Sequence, residues 1–231
     1  MLRKQRICND QARVFIVSET AKFIKKNLSM GYNLSQRVCD DVKWADQNFA
    51  KELKDQAEKT RIFREKRAEQ GDCKRKLGYA VNDAKMGVIR HARRHERPPA
   101  ELSSTIIHDL DETACGTTHP LFTQARCLIS HNQNYDHKVE ITNPTIVELI
   151  ERLDKAVAST IEAERAAKDK KEAEERVRST RAFVDNLLRQ LNMELTYHLR
   201  GKDRMAQIRV MGNYGYRWKE PVCKCDQTKS Q

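Results

Sequence analysis

One group of soft metal ligands is the first candidate for chemistry in this 231-residue chain. Cys115 and His119 have a Cys-x3-His spacing, and Cys127 and His131 repeat it. Thiolate and imidazole ligands hold zinc, and four of them could surround it tetrahedrally. However, the spacing is not that of a common zinc finger, and Pro120 directly follows His119. On a helix, the spacing merely places both residues on one face. An ordinary loop and short helix are therefore favoured over a metal site.

Other motifs give little support for catalysis. The sequence contains no Gly-rich phosphate loop, no nucleophile elbow and no His-Glu-x-x-His. Three acids, Asp109, Asp111 and Glu112, lie close to His108, but such groups on a short surface helix are usually solvated. We therefore expect a protein that is not an enzyme and that needs no cofactor.

The composition instead predicts long helices. Charged residues make up 33% of the chain and aromatic residues 6%, with only five prolines and eight glycines. Apolar residues recur at heptad-like spacing from Val14 to Phe63 and again from Ile146 to His198. We expect an elongated all-α fold in which two long coiled-coil helices are joined by an irregular segment with short helices.

The boundaries of these elements follow from helix-breaking and capping residues. The first helix is predicted from about Gln11 to Glu96, within segment 1–99, because Pro98 and Pro99 cannot continue it. Gly31 is a candidate bend or break. Segment 100–143 is predicted to be irregular, with short helices near 101–112 and 122–130. Segment 144–210 is predicted as the second long helix, with Asn143 or Thr142 as its cap. Segment 211–231 is predicted to be an extended tail.

The apolar residues of the two long helices are the candidates for helix packing. The first stripe becomes sparse after Phe63, and the second passes through the polar residues Lys170 and Glu174. A narrow stripe of this kind is typical of packing against a partner helix. The packing residues that we predict are Leu34, Val38, Trp44, Phe49, Leu188, Leu191 and Leu195.

Positive charge is concentrated in the first helix. Residues 1–100 carry 24 Lys and Arg against 13 Asp and Glu, whereas the remainder carries 20 of each. A basic helix favours an acidic partner, which can be a nucleic acid, an anionic membrane or an acidic protein polymer. A solvated helix without a partner is the alternative. Binding of nucleic acid is disfavoured because acidic residues alternate with the lysines and arginines, as at Lys51 and Glu52. In addition, no aromatic side chains lie among the basic residues to stack on nucleobases.

Location is suggested by the cysteines and by the hydropathy. The first six residues are not followed by an apolar stretch, and no run approaches the 18 or so apolar residues of a membrane span. Seven cysteines fit poorly with a disulfide framework, so we expect reduced thiols and a cytoplasmic protein that does not enter a membrane.

Three stretches resemble the tektins, the coiled-coil filament proteins of ciliary and flagellar doublet microtubules. Residues 34–44, from Leu34 to Trp44, are similar to a tektin first-helix segment. Residues 97–102 contain the Arg-Pro-x-x-Glu-Leu core of the tektin loop motif, although Ser103 follows where the family continues towards a Cys-Arg-Asp ending. Residues 161–199 are similar to the start of the second tektin half. The chain thus resembles a divergent or truncated tektin.

This resemblance implies a structural role in the cytoskeleton, in the axoneme of a cilium or flagellum. Tubulin and other tektin-like proteins are the implied partners, with self-assembly or hetero-assembly into filaments. The loop residues Arg97, Pro98, Glu101 and Leu102 are implied contacts at the joints between protomers. A basic helical nucleic-acid-binding protein and a generic coiled-coil adaptor are the alternative functions.

Overall fold

The computed structural model describes residues 3–4, 9–26, 34–94, 120–134 and 143–219. Within these ranges there are five helices and one pair of two-residue strands. The helices are α1 (Asp10–Lys26), α2 (Gln36–Arg94), α3 (Pro120–Asn134), α4 (Ile146–His198) and α5 (Arg204–Asn213). The strands β1 (Arg3–Lys4) and β2 (Trp218–Lys219) pair antiparallel. The predicted all-α fold with two long helices, α2 and α4, is confirmed. The short helix predicted near 122–130 is present as α3.

The first long helix, however, is not continuous, and the prediction of one helix from Gln11 to Glu96 is wrong. Leu34 and Ser35 are not helical, and α2 begins after them. Ser35 caps α2, since its hydroxyl accepts a hydrogen bond from the Val38 amide at 3.4 Å. Gly31, the candidate break, and the terminator Pro98-Pro99 lie outside the described residues.

The bounds of the second long helix also differ from the prediction. Its cap is Thr145 and not Asn143. The Thr145 hydroxyl accepts from the Glu148 amide at 3.2 Å, and the Glu148 carboxylate accepts from the Thr145 amide at 3.0 Å. This reciprocal pair is a capping box. Helix α4 ends at His198 rather than near residue 210, and Gly201 then takes a positive φ of 86°.

The described chain folds into two compact units. Unit 1 comprises the described parts of residues 1–58 and 171–231, and unit 2 comprises those of residues 59–170. In unit 1, α2 and α4 run antiparallel. At one end the Ser35 amide donates to the Glu194 carboxylate at 2.8 Å, and at the other Arg176 pairs with Asp55 at 2.7 Å. Helix α1 packs on this pair, so the long helices fold on each other as well as on shorter ones.

Unit 1 has a core of aliphatic and aromatic side chains from α1, α2, α4 and α5. Its buried members from the two long helices are Val38, Val42, Ala45, Phe49, Val184, Leu187, Leu188, Leu191, Leu195 and Leu199. Ile16, Val17 and Ala21 enter it from α1. Burying such side chains stabilises the unit by about 1.5–3 kcal/mol for each large one.

Unit 2 is a second helical bundle with its own core. Its helices are the second part of α2, all of α3 and the first part of α4. The buried residues are Leu77, Ala80, Val81, Ala84, Val88, Phe122, Ala125, Leu128, Leu149, Leu153 and Ala156. The α2 residues among them recur at spacings of three and four, so one face of this basic stretch is core.

The buried stripe of α4 has spacings mostly of three and four residues, and small or polar side chains fill several of its positions. Ser159, Ala166 and Thr180 are buried, whereas the residues that directly follow them, Thr160, Ala167 and Arg181, are only half-buried. From Ala156 to the end of α4, the buried positions are 156, 159, 163, 166, 173, 177, 180, 184, 187, 188, 191 and 195. Small side chains continue this stripe through the polar middle of the helix. Coiled-coil packing and an elongated shape remain predictions.

The end of the described chain is packed into unit 1, and the prediction of an extended tail is wrong for residues 211–215, which form the end of α5 and a turn. Met211, Tyr214 and Tyr216 are buried in the core of unit 1. The Thr20 hydroxyl donates to the Tyr214 carbonyl at 3.2 Å, and the Tyr216 hydroxyl donates to the Leu188 carbonyl at 3.1 Å. Residues 220–231 lie outside the described residues.

None of the described helices is both long enough and apolar enough to cross a lipid bilayer.

Candidate interaction surface

The residues predicted to pack helices lie mostly together in unit 1. Trp44 differs from the others, because 44% of its surface is exposed and its indole contacts the Phe183 ring edge-to-face at 4.9 Å between centroids. Leu34 is half-buried against the core. The remaining five, Val38, Phe49, Leu188, Leu191 and Leu195, are buried.

The other predicted sites fall largely outside the described chain. The loop residues Arg97, Pro98, Glu101 and Leu102 are not among the described residues, nor are Cys115 and His119. Cys127 is half-buried on α3 against the core of unit 2, and His131 follows one turn later on the same helix. Within the described ranges, no group of three or more His, Cys, Asp and Glu side chains could hold a metal ion.

Ion pairs join α2 to α4 on one side of unit 2. The Lys66 ammonium lies 2.6 Å from the Glu162 carboxylate and 3.0 Å from that of Glu69. These hydrogen bonds, with Glu162 first, raise the pKa of Lys66, and Lys66 lowers the pKa of Glu162. Lys59 and Asp169 form a longer pair at 3.4 Å. An open depression of about 240 Å³ lies among these paired groups, which neutralise each other.

Another side of α2 in unit 2 carries cations without acids, and we call it the basic face. Its members are Arg64, Arg67, Lys74, Arg75, Lys85 and Arg93. At about 100° per residue, these six side chains project within a sector of roughly 100°. The four arginines are exposed and the two lysines half-buried. This sector is outside the buried stripe that runs from Leu77 to Val88.

The acids of the same stretch of α2 are segregated from the basic face. Glu65, Glu69, Asp72 and Asp83 project into a neighbouring sector, where Glu65 pairs with Arg61 and Asp72 with Lys76 and Arg75. Arg75 is thus the one member of the basic face with a local ion pair among the described residues. The hydrogen bond from Lys76, followed by that from Arg75, lowers the pKa of Asp72. In this stretch of α2, none of the acids therefore projects from the basic face, although other cations share the sector of the acids.

Helix α3 borders the basic face and adds no negative charge to it. The Lys74 ammonium lies 5.7 Å from the centre of the Phe122 ring, which places α3 beside that edge. No Asp or Glu occurs among residues 120–134, and Arg126 is exposed there. Positive potential from the basic face is consequently not cancelled on the α3 side.

Two large apolar side chains are also exposed on this side of α2. Tyr79 has 65% of its surface exposed and Met86 has 42%. They are seven residues apart and project beside Arg75 and Arg93. Sequence reasoning found the basic charge of this stretch but missed its buried stripe, and with it the direction of the basic face. The apolar spacing at Leu77, Val81, Ala84 and Val88 was the available signal.

No protein-family model, curated protein or solved structure matches this chain.

Proposed function

We propose that this protein is a structural helical protein that binds an acidic protein polymer, and that the polymer is the microtubule, in a role like that of the tektins. The observation that carries the proposal is the basic face, where six cations share one sector of α2 and the acids of that stretch lie elsewhere. Tubulin is acidic, so the charges are complementary. Tektin-like proteins of the axoneme are the proposed further partners, in the cytoskeleton of a cilium or flagellum.

The chemistry of the basic face suits carboxylates. Four of its six cations are arginines, whose planar guanidinium groups bind carboxylates in a bidentate manner. Exposed pairs contribute little individually, yet a cluster of like charges steers an oppositely charged partner and speeds association. Such binding weakens as salt is added, because the screening length falls to about 8 Å at physiological ionic strength.

The interior stripes support a structural role in a different way. Both long helices bury their apolar stripes within this chain, in the two cores described above. A partner that binds unit 2 is therefore expected to use its charged surface and not the core stripe. This differs from an adaptor that would offer an open apolar seam to a dedicated partner helix.

Co-sedimentation with stabilised microtubules tests the proposal. The full chain is expected to pellet with polymer at about 50 mM salt and to be released towards about 300 mM. A variant with Arg64, Arg67, Arg75 and Arg93 changed to Gln is expected to lose most binding. Its matched control changes four exposed cations of α4, Lys155, Lys168, Lys171 and Arg178, to Gln, with the same loss of charge. Circular dichroism checks that helicity is kept.

The same variants discriminate between the candidate functions. Equal loss of binding in both charge variants would show that net charge, and not the basic face, governs binding. Nucleic acid would be favoured instead if the wild-type chain did not bind microtubules but bound DNA or RNA with an affinity that falls steeply with salt concentration. In a ciliated cell, the tagged protein is expected along the axoneme.

A further inference from the structure

The exposed side of α2 in unit 2 combines charge with a seven-residue repeat. Tyr79 and Met86 are seven residues apart and exposed, and the cations Arg75 and Arg93 project beside them. A seven-residue repeat brings side chains back to nearly the same direction on a helix. The repeated pattern on a solvent-facing surface is typical of a surface that packs lengthwise on another helix.

Small residues lie along the same surface. Gly71 and Gly78 are also seven residues apart, and a Cβ atom at either position would have nothing within 4 Å. Each glycine inside a helix costs about 1 kcal/mol relative to alanine. Packing among the described residues therefore does not account for either glycine. Ala68 and Asn82 lie beside the two glycines. These four small residues leave a shallow strip of the helix surface between the cationic and the apolar side chains.

We propose that the basic face, together with Tyr79 and Met86, docks an acidic α-helix of a partner protein. Its carboxylates would pair with Arg64, Arg67 and Arg75, and its backbone would lie over Gly71 and Gly78. This inference rests on the proposed function, since the microtubule polymer is the expected source of that helix. It adds the form of the ligand, a helix, and the residues that make room for it.

The positive charge, the exposed apolar pair and the two glycines together favour a helix over other anionic ligands. A phosphate backbone would use the cations but would leave Tyr79 and Met86 without a role, and one exposed aromatic ring is too few for stacking along a single strand. A lipid surface needs a larger apolar face than these two side chains provide. A helix uses all three features, because helix axes approach to about 8–10 Å when small residues lie at the contact.

The apolar pair is tested with a matched pair elsewhere in the chain. The double variant Tyr79→Ala/Met86→Ala is expected to weaken microtubule binding at least tenfold. Tyr197→Ala/Met193→Ala removes the same residue types from α4, where 72% and 68% of their surfaces are exposed, and is expected to change binding less than twofold. Equal effects of the two variants would overturn the proposed surface.

The glycines are tested with a variant that stabilises the free protein. Gly71→Gln/Gly78→Gln places two uncharged side chains where the partner helix would approach, and it is expected to weaken binding at least tenfold. The same variant is expected to raise the thermal midpoint, because glycine destabilises a helix. Gly87→Gln is the control, because Gly87 is also helical with nothing near a Cβ but projects away from the basic face. It is expected to raise the midpoint and to leave binding unchanged.

A peptide probe separates the form of the ligand from the function. A helical peptide of about four heptads rich in Glu and Ala is compared, by fluorescence anisotropy, with a peptide of the same length and charge in which some alanines are replaced by proline. Preference for the helical peptide, lost in the Gly71/Gly78 variant, supports the inference. Equal binding of both peptides overturns the helix requirement even if microtubules bind. Failure of the wild-type chain to bind microtubules, with the peptide preference intact, overturns the proposed function alone.

Discussion

Arg181 of α4 binds the carboxylate of Asp10, at the start of α1, through two parallel hydrogen bonds. Nε donates to Oδ1 at 2.9 Å and Nη2 donates to Oδ2 at 2.6 Å. Arg13 extends the network, since it bonds Asp185 at 2.7 and 3.0 Å and Asp10 at 3.2 Å. Two arginines and two carboxylates thus alternate across the α1–α4 contact in unit 1 and hold the two helices in register beside the core.

A double-mutant cycle measures this contact. Asp10→Asn and Arg181→Gln are each expected to lower the free energy of unfolding, with a coupling of about 1 kcal/mol, because the geometry is bidentate but the pair is partly solvated. The same cycle on Lys22 and Glu19, a pair within one exposed helix surface, is expected to show no measurable coupling. Urea unfolding followed by circular dichroism gives the values. Equal coupling in the two cycles would contradict a special role for Arg181.

Acid is expected to remove the Asp10 contribution. The hydrogen bond from Arg181 lowers the pKa of Asp10 despite partial burial of the carboxyl group. A carboxylate with a depressed folded-state pKa stabilises the protein at pH values above its unfolded pKa of about 3.9. That stability is lost as the pH falls through the folded-state value. The Asp10–Arg181 coupling should therefore be complete at neutral pH and should decline as the pH falls below about 3.9, and a coupling that does not decline in acid would contradict it.

The two cores are expected to respond separately to cavities. Leu191→Ala in unit 1 and Leu149→Ala in unit 2 each remove a fully buried side chain, and each should cost about 2–5 kcal/mol. The neighbouring exposed residues Met193 and Val147 provide controls that should change stability by less than about 0.5 kcal/mol when changed to Ala. Hydrogen exchange locates the effect. Leu149→Ala should lower protection in residues 120–134, and unchanged protection there would contradict the assigned core.

Some of the fold was accessible from the sequence because it is local. Helix existence follows from the apolar period, and α4 has a readable capping box, Thr145 with Glu148 three residues later. The prediction instead placed the cap at Asn143 or Thr142, because proline at the first helical position is a common pattern. In α4 the predicted apolar stripe passed through Lys170 and Glu174, and neither of these residues is buried. Buried Ala166, Ala173 and Thr180 fill the buried stripe with small side chains.

Other features depend on contacts distant in sequence. Tyr214 and Tyr216 fit the composition of an extended tail, yet they are buried because α1 and α4 offer a place for them. The basic face likewise needs the direction of the core stripe, which the glycines at 71, 78 and 87 obscured in the sequence. Charge counts predict an excess on the first long segment. They do not predict which side of α2 carries it.

Replacement of Gly215 by alanine is expected to lower the stability of the folded protein. Its φ is 80°, and an added Cβ would lie 3.0 Å from the Ile16 Cα and 3.2 Å from the Glu19 Cβ. Both the left-handed backbone and the approach to α1 therefore oppose a side chain, and Gly215→Ala should cost about 1–3 kcal/mol. Gly212→Ala is the control, since Gly212 is helical with open space around a Cβ and should be neutral or stabilising. Thermal unfolding compares the midpoints of the two variants. Similar midpoints would contradict the packing of residues 214–216 on α1.

Tyr216 is expected to make unfolding sensitive to alkali. Its hydroxyl donates to the Leu188 carbonyl in the core, and burial raises its pKa above the usual range. The unfolded phenol ionises near pH 10, so the stabilisation is complete below that value and declines as the pH rises further. Tyr216→Phe should lower stability by about 1 kcal/mol at pH 7 through loss of the hydrogen bond, and should flatten the decline above pH 10. Tyr197→Phe, at an exposed phenol, should change neither quantity. Urea unfolding at pH 7 to 11 measures both effects, and an unchanged alkaline slope in Tyr216→Phe would show that another group is responsible.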